Sequence, residues 1–323
     1  MKAVFQVILF LFSVSFFAQQ ATDAALIQEA LLQKTTLANN SLVKNVNFVS
    51  MGPTVMSGRV ADVAVNPENS TEFYVGYASG GLWYTNNNGT TFTPVLDNAP
   101  TQNVGDIAVD WNSGTLWVGT GEKNSSRSSY AGIGILKSTD QGKTWSNVGL
   151  PDAHHISRIL INPKNADEVV VGVIGHLYSS NEERGVFKTT DGGATWTKSL
   201  FINNETGIID VAAAPENFNV MYAASWERAR TAWNFDGDGS NSAIYKSMDA
   251  GSSWTKIADK SGFPTGNGVG RIGLAVFNEN TVYALHDSQF RRPKNKDKKP
   301  SDDLTKEDFK SMSSSDFLQL TDK

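Results

Sequence analysis

The sequence predicts an all-β fold, a β-propeller of four-stranded antiparallel blades carrying Asp-box hairpins, with about four and a half blades present and the ring incomplete. Three observations predict it. The motif Ser/Thr-x-Asp-x-Gly-x-Thr-Trp stands at 138–145 and 189–196, with a Ser-for-Thr copy at 247–254 and a degraded copy at 85–92. Its third positions, Asn87, Asp140, Asp191 and Asp249, lie 53, 51 and 58 residues apart, a period that marks repeat architectures. Between motifs the chain follows one plan of four short β-branched or aromatic runs, such as "DIAVDW", "TLWVGTG", "GIGILKS" and "TWSNVGL". Bounded by Gly, Asn and Asp, these runs read as a four-strand meander.

Taken in order, Lys2 precedes an apolar run from Ala3 to Phe17. That run is shorter than the ~20 residues that span a bilayer. It reads as a signal peptide over 1–18, implying a secreted or cell-surface (periplasmic or extracellular) protein with no transmembrane segment in the mature chain. Residues 22–38 have helical spacing, so 19–45 is predicted as a helix and spacer. The blades occupy 46–290. "NFVSMGP" (47–53) matches the strand after a box, "TWSNVGLP", so 46–53 is expected to be an outer strand that closes the ring against a blade encoded downstream. A fifth unit, "RIGLAV" with "TVYALHD", ends without a box, and the chain is therefore expected to be the N-terminal portion of a longer protein. Residues 291–323 hold 9 of the 28 Lys and Arg and read as a charged, partly helical insertion, with Thr305 and Asp308 in capping-box-like spacing.

The motif has a mechanical role in this plan. It falls in the hairpin between the third and fourth strands, where an Asp accepts backbone N–H groups and a Gly takes positive φ. Asp140, Trp145, Asp191, Trp196, Asp249 and Trp254 are accordingly structural. Their spacing resembles the Asp-box, or BNR, repeat of sialidases, family 74 glycosidases and sortilin/VPS10 propellers. The stretches 119–145, 175–196 and 224–235 more narrowly resemble exported bacterial sortilin/VPS10-like proteins often labelled glycosyl hydrolases. The resemblance covers about 46–323 and implies the propeller fold. For function it implies a module that binds an extracellular glycan, peptide or protein, or else a glycoside hydrolase, or a structural adhesion module.

Composition narrows the chemistry. The absence of cysteine excludes disulfides, thiolate metal sites and cysteine nucleophiles. A net charge of −5 argues against a dedicated nucleic-acid partner. In a meander every second turn returns to the same end, so the long loops 122–131, 176–184 and 227–242 should share one face, away from the boxes. The lead-ins to the inner strands add Arg59, Asp62, Asp106, His154, His155, Arg158 and Asp210 to that face. Arg127, Arg158, Arg184 and Arg228 offer forks for anionic or polyhydroxy groups, with His176 beside them, and Tyr130, Tyr178, Trp226 and Trp233 offer stacking surfaces. Hydrolysis would need two carboxylates at roughly 5–9.5 Å, and Glu122, Glu183, Glu227, Asp106 and Asp210 are the weak catalytic candidates. The competing reading is that these charges pair with one another and stiffen the loops. Arg271-Ile272-Gly273 lacks the proline of a sialidase motif, and Ser79 stands where family 74 glycosidases place an acid, which ranks binding above hydrolysis. No cofactor is expected. Asp236 and Asp238 alternate like the start of a calcium loop without its distal Glu, and His154-His155 has no third ligand at helix spacing, so no metal site is read from the sequence.

Overall fold

In this computed structural model the described residues are 21–46, 58–257, 262–290, 304, 308 and 312–320. The segments 1–18 and 47–53 and Thr305, on which the leader, closing-strand and capping-box expectations rest, lie outside them. The chain divides into two units, Met1–Gln289 and Phe290–Lys323. In the second, Ser313 caps a short helix, Ser314–Leu318, by accepting the Asp316 amide. Among the described residues no helix is long and apolar enough to cross a membrane.

The first unit begins with helix α1 (Ala24–Asn40), which has no buried residue and is capped by the Asp23 carboxylate accepting the Ala25 amide at 2.8 Å. Four four-stranded antiparallel sheets follow. The first holds β1 (Val60–Asn66), β2 (Asn69–Tyr77), β3 (Gly81–Thr85) and β4 (Thr93–Pro94). The second holds β5 (Val104–Asp110), β6 (Thr115–Thr120), β7 (Ile135–Ser138) and β8 (Ser146–Asn147). The third holds β9 (Ile156–Asn162), β10 (Asn165–Val173), β11 (Gly185–Thr189) and β12 (Thr197–Leu200). The fourth is β13 (Thr206–Ala214), β14 (Asn217–Glu227), β17 (Ile244–Ser247) and β18 (Thr255–Lys256), with a two-stranded hairpin, β15 (Ala229–Arg230) and β16 (Phe235–Asp236), inserted after β14. A fifth sheet pairs β19 (Val269–Asn278) with β20 (Thr281–Ser288). These are the blades the repeats predict.

The core lies between consecutive blades. Trp117 and Ile135 of the second blade pack with Ile156, Val171 and Phe187 of the third, and Val170 and Val186 of the third pack with Ile208 and Met221 of the fourth. Each blade thus buries its apolar faces on its neighbours, as repeat folds do. At the ends of the series, Val63 and Val65 of β1 and Tyr283 and Leu285 of β20 are exposed.

The boxes fasten this packing. Asp140 Oδ1 accepts the Thr144 amide at 2.9 Å and the Ser138 hydroxyl at 2.7 Å, while its Oδ2 accepts the Thr144 hydroxyl at 2.6 Å. Asp191 and Asp249 repeat the pattern with Thr195 and Ser253. Gly142, Gly193 and Gly251 take φ of 86°, 93° and 77°, which a β-carbon disfavours. The box tryptophans reach back one blade: Trp145 Nε1 donates to Val95 O at 2.9 Å and Trp196 Nε1 to Val148 O at 2.7 Å.

Candidate functional site

The hairpin parity that sends the boxes to one end gathers the long loops at the other. The loop after β6 lies at the centre of that end. Its Ser125 carbonyl accepts Arg230 Nε of the β15–β16 hairpin at 2.8 Å, its Asn124 side chain accepts Arg271 Nη1 of β19 at 2.9 Å, and its Arg127 carbonyl accepts the Tyr178 hydroxyl at 3.4 Å. The three predicted loops therefore meet.

Most of the predicted carboxylates are committed to that assembly. Glu122 is buried and clasped by Arg59 (Nε to Oε1, 2.6 Å), Asn124 and Ser129. Burial raises its pKa, but these hydrogen bonds outweigh it and hold the carboxyl below its ordinary range. Asp106 accepts Lys123 Nζ at 2.8 Å and Arg158 Nη1 at 3.4 Å on Oδ1, and the Ile159 amide at 2.8 Å on Oδ2. Burial pushes its carboxyl up to about 6 against the pull of those two cations. Asp210 takes Arg158 Nε and Nη2 at 3.1 and 3.0 Å and the Leu274 amide at 2.9 Å. Asp62 likewise accepts the Ile107 amide of the next blade at 3.2 Å. The inner-strand aspartates thus form a ladder in which each blade's carboxylate holds the next blade's backbone, and Arg158 fills the third blade's position by bridging Asp106 and Asp210. Glu227 accepts the Asn241 amide at 2.8 Å and closes its own loop. Glu183 accepts the Asp152 amide at 2.9 Å, and burial raises its pKa.

Several residues expected to face a ligand are instead buried. Arg184 is 2 % exposed, and its guanidinium donates to the carbonyls of Ile174, Glu205, His176 and Ser179 at 2.8–3.1 Å. Its side chain crosses Gly175, where an added Cβ would lie 2.3 Å from the Arg184 Cγ. Arg228 is also buried, donating to the His176 and Gly175 carbonyls beside the Trp226 ring. Burial lowers the pKa of Arg184 to about 10 and of Arg228 to about 9. Trp226 is a core residue whose Nε1 donates to Gly237 O at 2.8 Å. The reason is common to all three: irregular loops expose carbonyls with no strand partner, and long donors on the same loops satisfy them. Left open to solvent are Arg127, Tyr130 (57 %), Tyr178 (55 %) and Trp233 (83 %).

The same end holds a group that sequence spacing did not reveal. The His154 and His176 rings stack with centroids 3.6 Å apart, and His176 Nε2 lies 3.0 Å from Asp152 Oδ1. Burial lowers His154 to about 4, with His176 adding to the effect, and burial lowers His176 as well against the pull of Asp152. The register Ile156↔Val173, continued outward past both strand ends, sets 154 opposite 175, one residue from 176, so the pairing of β9 with β10 was the signal available. Asp236 is exposed and accepts Asn234 Nδ2, while Asp238 accepts the Gly268 amide at 2.7 Å. At the opposite, box end a cavity of about 580 Å³ opens, lined by Asn66, Glu72, Tyr74, Tyr84, Trp111 and Lys143.

The geometry and the repeats agree with what this chain is similar to. The sequence model of the family described as "Sortilin, neurotensin receptor 3" matches residues 134–263. A probable oligoxyloglucan-reducing end-specific xyloglucanase of Neosartorya fischeri is 28% identical over 153 residues, 42% of this chain and 17% of that protein. Among solved structures, an ancestral GH74 enzyme gives a TM-score of 0.50 at 20% identity, covering 68% of this chain and 28% of the other. The GH74 xyloglucanase of Xanthomonas campestris gives 0.48 at 16% identity, covering 70% and 35%. The chain is an Asp-box β-propeller. It spans 17% of the length of the curated relative it matches, and the likeness to the solved enzymes is one of fold, which hosts many functions.

Proposed function

We propose that the protein is an exported propeller module whose loop-rich end binds an extracellular glycan. One observation carries the reading: at that end the carboxylates hold protein partners, while the aromatic rings stand free. Glu122, Asp106 and Asp210 are clasped by cations and amides, whereas Tyr130, Tyr178, Trp233 and Arg127 are exposed. Flat rings stack on sugar faces, and a guanidinium fork binds hydroxyls or carboxylates. The curated relative is named for a xyloglucan substrate, which makes a β-linked, neutral polysaccharide the first ligand to try. Hydrolysis is the weaker reading, since a nucleophile or acid already engaged by Arg59 or Lys123 would have to be released first.

Affinity electrophoresis in xyloglucan, with other plant and bacterial polysaccharides alongside, tests this. Retardation of the wild type that falls about fivefold in affinity in each of Tyr178→Ala and Trp233→Ala supports it, since a stacking contact is worth ~1 kcal/mol. Unretarded protein in every polysaccharide, or release of reducing ends abolished by Glu183→Gln, overturns it.

A further inference from the structure

We propose that Asp152, His154 and His176 form a binding site for a divalent transition-metal ion of the zinc class. The ligand atoms of the three side chains all lie within 4.8 Å of one another. Two imidazoles and a carboxylate suit zinc and its neighbours, and three protein ligands leave a coordination position for water or a ligand oxygen.

The surroundings are arranged as metal sites arrange them. His176 Nδ1 lies 2.8 Å from Ser179 Oγ, which fixes the ring with Nε2 toward Asp152. Asn181 Nδ2 donates to the Asp152 carbonyl at 2.7 Å and to its Oδ2 at 3.2 Å, leaving Oδ1 on the His176 side. Asn181 Oδ1 accepts the His176 amide at 3.0 Å. One asparagine therefore ties together the two segments that carry the ligands. Such outer partners orient metal-binding imidazoles and carboxylates.

His154 supplies an independent observation. It sits at φ 54°, a left-handed conformation uncommon outside glycine, though one histidine enters more readily than most residues, and it persists where the surroundings hold it. They do, because its carbonyl accepts the Gly132 amide at 2.7 Å and an added Cβ on Gly121 would lie 1.7 Å from that oxygen. This turn is what lays the His154 ring on His176. A metal needs both lone pairs in their ring planes, so ligation opens the stacked pair from 21° into a fan. His154 is part-exposed and the Asp152 side chain is 35% exposed, so an ion reaches the group from solvent. The charges also fit. Asp152 and Glu183 supply two negative groups, and the guanidinium donors of nearby Arg184 are taken up by four carbonyls.

The test uses full-length protein stripped with chelator and dialysed, then titrated with Zn²⁺ by calorimetry and with Co²⁺ by visible absorption. One equivalent of Zn²⁺ should bind, and Co²⁺ should give the intense visible bands of a low-coordinate nitrogen–oxygen site. Three variants should each weaken binding at least about tenfold: Asp152→Asn, His176→Gln and His154→Asn. Asn is chosen at 154 because it tolerates left-handed backbone and so keeps the turn while removing the imidazole. His286→Ala, which removes the one histidine outside this region, should bind as the wild type does. Binding well below one equivalent, equal affinity in the three variants, or loss only in His286→Ala overturns the proposal. The Co²⁺ spectrum of the unmodified protein decides the matter should a variant fail to fold, since a weak octahedral spectrum is incompatible with the site.

Discussion

At the box end of the blades, Asp140, Asp191 and Asp249 make the same short-range bonds to residues two and four positions away. At the loop end the bonds that join one loop to another are long-range and each occurs once: Arg59 to Glu122, Arg230 to Ser125, Arg271 to Asn124. The difference teaches how to sort polar residues in a repeat protein. A side chain that recurs at one register in successive blades serves the scaffold, and one that appears in a single blade closes a loop or faces a ligand. Asp62, Asp106 and Asp210 recur and proved to be ladder rungs. Trp233 does not recur, and it is exposed.

The largest expected effect comes from the loop end. Arg184→Ala strands buried carbonyls and leaves a cavity, so it should lower unfolding free energy by at least about 3 kcal/mol in urea titrations. Charge reversal there is expected to unfold the protein and not, as the residue's place in a loop suggests, to weaken binding at constant stability. A variant melting like the wild type would show that the loop end contributes little to folding, and the contrast between the ends would weaken.

At the box end, Trp196→Ala should cost about 2–3 kcal/mol, below the ~3–5 of a fully buried aromatic, because the ring is only part-buried against Trp117. Its bond to Val148 O joins two blades. A cost confined to the third blade in hydrogen exchange, with the second blade's protection unchanged, would contradict that coupling.

How far the sequence could be read follows the same division. The blades, the boxes and the end on which each loop lies were legible because periodic hydrophobicity and turn chemistry are local. Which loop residues stay free was not. Arg127 and Arg184 look alike in sequence, and only the carbonyls left over by the 174–179 bend decide that Arg184 turns inward. The grouping of His154 and His176 with Asp152 was not legible, because a hairpin's register, not a short spacing, brings the two histidines together.

Acid should separate the ends more finely. The hydroxyl and amide donors around Asp140, Asp191 and Asp249 hold each carboxyl down at about 2. A folded pKa below the unfolded value gives stability that is present above the ordinary value of ~4 and lost as pH falls toward 2. Asp191→Asn keeps the acceptor oxygen and removes the titration. The wild type's advantage over it in urea midpoint at pH 7 should therefore shrink steadily between pH 4 and pH 2. An advantage constant with pH would mean that geometry alone, and not ionisation, makes the box.

The smallest effect is at the degraded box, where the protein has already made that replacement. Asn87 Oδ1 accepts the Thr91 amide at 3.0 Å and the Thr85 hydroxyl at 3.0 Å, as Asp140 does with Thr144 and Ser138. Its Nδ2, however, donates to Thr91 Oγ1 at 2.8 Å, so the hydroxyl that donates in the other boxes accepts here. Asn87→Asp only requires that hydroxyl to rotate, and bonds to an ionised acceptor are stronger. The substitution should stabilise by no more than about 0.5 kcal/mol at pH 7, the scale of an exposed change, and that gain should vanish toward pH 2. A loss of more than ~1 kcal/mol would show that the first blade's hairpin is built around a neutral residue, and that its box is a different device and not a worn copy of the other three.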